Sequence, residues 1–136
     1  MDFSASMDIA ASGMQAQTQR IKIIAQNLAN ADSTATQPGQ DPYRRQIISF
    51  KSVYDKVAGA NVVKVAQVST DNSAFPSKYD PANSAADANG YVSLPNVKPE
   101  LEAADMREAQ ASYEANLSAM DLVKNMMLQT VNAIKA

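Results

Sequence analysis

Apolar residues recur at both ends of the chain in alternating steps of three and four. In the last third, Met106, Ala109, Tyr113, Asn116, Met120, Val123, Met127, Thr130 and Ile134 share one register, and Leu117 and Val131 widen it. At the start, Phe3, Met7, Ala10, Met14, Gln17, Ile21, Ile24, Leu28 and Ala31 follow the same rule. Such spacing gathers residues on one face of an α-helix, and a sustained heptad of this kind is a seam that needs a second helix to cover it. The pattern predicts one helix within residues 1–31 and a longer one over residues 99–136. Ser4 or Asp2 suits the cap of the first, and Asp32-Ser33-Thr34 ends it with residues that prefer turns. Pro99 suits a first helical position, where its missing N–H costs nothing. Glu100 and Glu102 then lie near the positive end of the helix dipole and Lys135 near the negative end.

Between the stripes, residues 32–98 lose the helical period. Thr34 to Pro42 carries turn chemistry, Tyr43 to Phe50 reads as extended, and Val62 to Val68 is the best strand, being β-branched and partly alternating. Asn72 to Asn89 reads as loop, with Pro76 and Pro81 excluding helix. Asn89-Gly90 is a hairpin turn signal before a short strand at Tyr91 to Leu94, and Pro95 and Pro99 bracket an extended approach to the last helix. The expected fold is mainly α with a small β insert: residues 1–31 and 99–136 pair as an antiparallel coiled coil, and residues 32–98 form a short extended and β-hairpin segment between them.

Composition narrows the chemistry. The chain lacks Cys and His, which removes the commonest transition-metal ligands and the usual general base near neutral pH. A net charge of -2, with no basic cluster beyond Arg44-Arg45, argues against a nucleic-acid surface. The arginines are expected to make intersubunit or intrachain ion pairs rather than to bind phosphate. Glu100, Glu102, Asp105, Glu108, Glu114 and Asp121 fall at helical spacing and read as a solvated or interface face, the first few explained by the dipole. No catalytic, cofactor or metal residue is expected. Neither a cleavable signal peptide nor an apolar run long enough to cross a membrane is visible. The outer face of the first helix is almost uncharged: from Ile9 to Ala31 only Arg20 and Lys22 carry charge, among Ser, Thr, Gln and Asn. Neutral hydrogen-bonding groups suit a helix surrounded by protein, or equally a merely polar helix in a small bundle. Gly13 weakens that helix by about 1 kcal/mol relative to Ala, so it is expected to be marginal without neighbours.

Gln17 to Ala31, closing with Asn27-Leu28-Ala29-Asn30, resembles the first helix of the bacterial flagellar axial proteins, the family of rod and hook subunits. Met106 to Leu117, with Tyr113, Ala115 and Asn116, resembles their last helix. Pro42 to Gln46, Gly90 to Val92, Leu94 to Val97 and Lys124 to Leu128 are similar to the C-type proximal rod subunits. Many axial proteins follow the Asn-x-Ala-Asn motif closely with Thr-x-Gly-Tyr, whereas here Ser33 to Asp41 precedes Tyr43. That departs from the B-type rod subunits and agrees with the C-type.

The resemblance implies a structural subunit of the proximal rod, polymerising into the drive shaft that carries motor torque to the hook. It implies further copies of the chain and the B-, F- and G-type rod subunits as partners, with the FliE adaptor, the MS ring and, in transit, the flagellar type III export apparatus. It places the protein in the periplasmic rod, exported without a cleaved signal peptide. Phe50 with Tyr54 fits the Phe-x-x-x-apolar export pattern of the family. The assembly seam would then be Met7, Met14, Ile21, Ile24 and Leu28 on the first helix with Met106, Tyr113, Leu117, Met120, Met127 and Ile134 on the last. A second reading is a soluble coiled-coil binding module or closed oligomer, fully helical in dilute solution, where a rod subunit would show low terminal helicity.

Overall fold

A computed structural model describes residues 2–136. Helix α1 spans Phe3–Ala29 and helix α2 spans Pro99–Lys135. Between them lie four strands, β1 (Gln46–Asp55), β2 (Ala60–Thr70), β3 (Ser77–Tyr79) and β4 (Tyr91–Ser93). The expected class, two long helices around a small β insert, is the observed one. Of the two candidate caps for α1, Asp2 does the work: its carboxylate accepts the Ala5 N–H at 3.1 Å. At the other end Asn30 donates its side-chain amide to the Gln26 carbonyl at 2.8 Å, and Ser33 donates to the Asn30 carbonyl at 2.8 Å. These bonds satisfy carbonyls that the last turn leaves open.

The strands form two separate two-stranded sheets, β1 with β2 and β3 with β4. The extended segment expected at Tyr43 to Phe50 begins later and runs on to Asp55. It turns through Lys56–Gly59, where the Asp55 carboxylate accepts the N–H groups of Val57 and Ala58 at 2.9 and 3.2 Å. Those two bonds hold the Asp55 carboxyl below its ordinary range. The loop expected over Asn72 to Asn89 contains β3, which pairs antiparallel with β4 in the register Ser77↔Ser93, Lys78↔Val92, Tyr79↔Tyr91. Three exposed residues between prolines carry too little pattern to announce a strand; the partner makes it one. Gly90 completes this hairpin with φ at 83°, and a Cβ there would lie 2.9 Å from the Tyr79 ring, so only glycine fits.

The chain divides into two compact units. The first gathers the stretch ending at Ile21 with Ser49–Gln67 and Arg107–Ala136; the second gathers Lys22–Ile48 and Val68–Met106. In the first unit the buried apolar positions are mostly small, Ala10, Ala16, Ala58, Val62 and Ala109. Small residues let helices approach closely but remove little apolar surface from water. In the second unit Ile23, Ile24, Ala85, Val92, Pro95 and Val97 are buried, and so are two polar side chains, Asn27 and Glu102.

Candidate assembly interface

Within the first unit the two helices run antiparallel. Gly13 faces Asn116, and seven residues further along α1 the Arg20 guanidinium lies 3.6 Å from the Glu108 carboxylate, eight residues back along α2. The β2 strand joins them through the Val63 N–H, which donates to the Ser12 hydroxyl at 3.2 Å. An open groove of about 710 Å³ runs beside these contacts, walled by Met14, Tyr113, Met120, Val63 and Val65.

The stripe on α2 is covered only in part. Met106, Tyr113, Met120, Val123 and Met126 are half-buried and Ala109 is fully buried. Beyond them Met127, Val131 and Ile134 continue the same helical register yet are exposed, Ile134 by 80%. Leu117 and Leu128 flank this face and are exposed as well. Among the described residues, helical spacing thus carries the apolar seam further than the surface folded against it. On α1, Ile24 is buried, and Met7, Met14, Ile21 and Leu28 are half-buried.

The second unit contains a polar junction. Asn27, only 1% exposed, has every side-chain hydrogen-bonding position filled. Its Nδ2 donates to the Gln46 carbonyl at 2.8 Å and to Glu102 Oε2 at 3.1 Å, while its Oδ1 accepts the Gln46 N–H and the Tyr43 hydroxyl, both at 2.9 Å. Glu102, fully buried, also accepts from Arg45 Nε. The Arg45 fork reaches Asp71 at 3.5 Å and Asp105 at 3.7 Å. Asn96 closes the ring: it accepts the Arg45 N–H at 2.7 Å and donates to the Asp71 carbonyl at 2.9 Å. Arg44 stacks on the Phe75 ring at 4.1 Å and donates to the same carbonyl at 3.0 Å.

Burial, hydrogen bonds and charge pairing together set the titration behaviour here. Burial alone lowers the Arg45 pKa, but its hydrogen bond to Glu102 and the charges of Glu102, Asp71 and Asp105 outweigh that and raise it. Burial, and then the charge of Glu102, raises the Tyr43 hydroxyl. Hydrogen bonds from Ser73, then Arg45, hold Asp71 below its ordinary range.

The sequence reading of Glu102 as part of a solvated or interface face is therefore corrected, since it is buried within the chain itself. Its environment is an arginine and an amide, not water. The signal was present: Glu102, Met106, Ala109 and Tyr113 step by four, three and four, which places the carboxylate on the buried stripe. Of the two arginines, Arg45 makes the expected ion pairs, within the chain, whereas Arg44 meets the Phe75 ring and backbone carbonyls. Of the motif residues, Asn27 sits in the junction, Asn30 ends α1, Ala29 and Ala115 are exposed, and Tyr113 and Asn116 are half-buried. Phe50 is half-buried on β1 and Tyr54, four residues on, is 61% exposed. Among the described residues no group of three or more His, Cys, Asp or Glu is placed to hold a metal ion, and no helix is long and apolar enough to cross a membrane.

Comparison with known proteins places these features in a lineage. Residues 7–35 match a family described as flagella basal body rod protein, and residues 88–134 match the flagellar basal body rod FlgEFG protein C-terminal family. The chain is 45% identical to the flagellar basal-body rod protein FlgC of Agrobacterium fabrum, over 98% of this chain and 96% of that one. It is 41% identical to the FlgC of Salmonella typhimurium, over 91% and 92% of the two chains, and 36% identical to that of Bacillus subtilis, over 93% and 94%.

Proposed function

The chain belongs to the FlgC family of flagellar basal-body rod proteins, and from that premise we propose that it is a structural subunit of the proximal rod, polymerising with other rod proteins into the shaft that carries motor torque to the hook. The observation that supports this most directly is the bare seam of α2. Met127, Val131 and Ile134 extend a helix–helix stripe beyond its intrachain cover. Each such side chain gains about 1.5–3 kcal/mol when fully buried, and helices of neighbouring subunits are the surfaces of matching length and period. Contacts of this kind are heterologous: a stripe on one copy meets a different surface on the next, which builds a helical tube rather than a closed pair. The neutral outer face of α1 fits the same setting.

The paired helices would form the inner layer of the tube and the insert its outer contact surface. Copies of the chain and the B-, F- and G-type subunits are the neighbours this reading names along the shaft, with the FliE adaptor and the MS ring at its base. Export by the flagellar type III apparatus, with Phe50 and Tyr54 as the signal, places the subunit in the periplasmic part of the basal body. A soluble coiled-coil module or closed oligomer is less well supported, because the relatives carry the rod name.

Cells that lack this chain should lose swimming and yield basal bodies without a completed rod, and the intact chain should restore both. Met120→Pro, which breaks α2 within its stripe, should fail to restore either. Normal swimming without the chain, or with Met120→Pro, would overturn the reading.

A further inference from the structure

The polar junction is built more strongly than the packing around it requires. A buried ion pair is seldom worth more than the apolar contact it replaces, yet removing one partner leaves a stranded charge. What Arg45 and Glu102 add is direction: a guanidinium has a fixed planar fork, and each arm here meets a different carboxylate, Glu102, Asp71 and Asp105. Those carboxylates stand on two pieces of chain, the end of β2 and the first two turns of α2. Arg45 precedes β1, and the Gln46 N–H and carbonyl are both held by Asn27 from the last turns of α1. Two residues at the foot of the insert are thereby tied to both helix ends by groups that resist rotation as well as separation.

We infer that Arg45 is a positioning residue that fixes the foot of the insert against the ends of α1 and α2, and that part of the torsional load passing between insert and helices crosses this junction. The inference rests on the rod reading for its mechanical meaning, and the geometry stands without it. Close apolar packing resists a turn of the foot only through side-chain shape, whereas hydrogen bonds to a planar fork also have a preferred direction. The fork and the fully bonded amide supply that direction.

The test uses Arg45→Lys, which keeps the charge but loses the fork, and Arg45→Met, which loses both, each as the sole copy in a motile strain. Basal bodies are counted, and the rotation of tethered cells is followed as the viscosity of the medium is raised. The expected result is rods in normal number with Arg45→Lys and at least a twofold loss of the load at which rotation stalls, with a larger loss for Arg45→Met. A stall load equal to that of the parent with Arg45→Lys would overturn the inference while leaving the rod reading intact. Failure of the rod reading would show separately, as normal swimming without any copy. Should neither variant build rods, hydrogen exchange on the purified chains decides. Selective loss of protection at the Arg45 and Gln46 amides, at least tenfold, with the α1 and α2 amides still protected, supports the inference, and unchanged protection there overturns it.

Discussion

Gly13 and Asn116 sit opposite one another so closely that a Cβ built on Gly13 would lie 2.8 Å from the Asn116 amide. The glycine that weakens α1 as an isolated helix is what admits the Asn116 side chain. Asn116 is itself engaged, donating to the Ser112 carbonyl at 2.9 Å, so it yields only by giving up that bond. Gly13→Ala should therefore lower stability by about 1–3 kcal/mol, despite the usual gain of alanine in a helix. Adding it to Asn116→Ala should instead stabilise that variant by about 1 kcal/mol. Urea midpoints of the four chains check this, and a stabilised Gly13→Ala single variant would refute the packing account.

Asn27→Asp changes almost no volume but replaces the donor facing Glu102 with a second carboxylate oxygen. Two buried anions at hydrogen-bond range do not both stay ionised, so the introduced carboxyl titrates above its unfolded value. A raised folded pKa gives stability that is full below the unfolded value and is lost as pH climbs through the folded one. The variant should come nearest its parent near pH 4, short by about 1 kcal/mol because one O–H cannot serve both Glu102 and the Gln46 carbonyl, and fall about 2–4 kcal/mol short of it at pH 7. Thermal melts of both proteins across that range measure the gap; a gap independent of pH would be evidence against the bonding assigned to Asn27.

For the unaltered protein, stability should plateau between about pH 4 and about pH 10. Asp71 and Asp55 have lowered folded pKa values, so what they contribute is present above the ordinary carboxylate range and lost as pH falls through the lowered values. Tyr43 has a raised value, so its contribution is whole below the ordinary phenol range and lost as pH rises through the raised one. Tyr43→Phe should flatten the alkaline limb, and spectroscopic titration of the parent should show Tyr43 ionising above the ordinary phenol range. A Tyr43→Phe protein with an unchanged alkaline limb would contradict the burial of Tyr43 beside Glu102.

Charge on the bare end of α2 separates folding from assembly. Val131→Glu combined with Ile134→Glu alters exposed positions, so the free chain should melt within about 0.5 kcal/mol of the parent. Burying two carboxylates in a helix seam is prohibitive, so basal bodies from such cells should lack a complete rod. Full assembly with both substitutions would remove the seam from the interface.

The helices were legible because their information is periodic. Three-and-four spacing from Met106 to Met120 and from Met7 to Leu28, together with the prolines before α2, marks faces and ends without knowledge of the partner. The β-branched run at Val62 to Val68 announced β2 in the same way. β3 was not legible, because Ser77-Lys78-Tyr79 becomes a strand only by pairing with β4. Glu102 was half legible: its register put it on the buried stripe, but its charge and its place near the helix start supported a solvent reading until Arg45, remote in sequence, was seen beside it.

By itself, then, the sequence determined two amphipathic helices, their polarity, their need for cover and the likeness of both ends to flagellar axial proteins. All of these rest on spacing and local chemistry. Only the tertiary structure decided that Asn27 and Arg45 hold the foot of the insert, that Gly13 makes room for Asn116, and that the α2 stripe outlasts its cover. Each of those depends on which distant residues meet, and burial, unlike periodicity, is a property of the pair rather than of either segment.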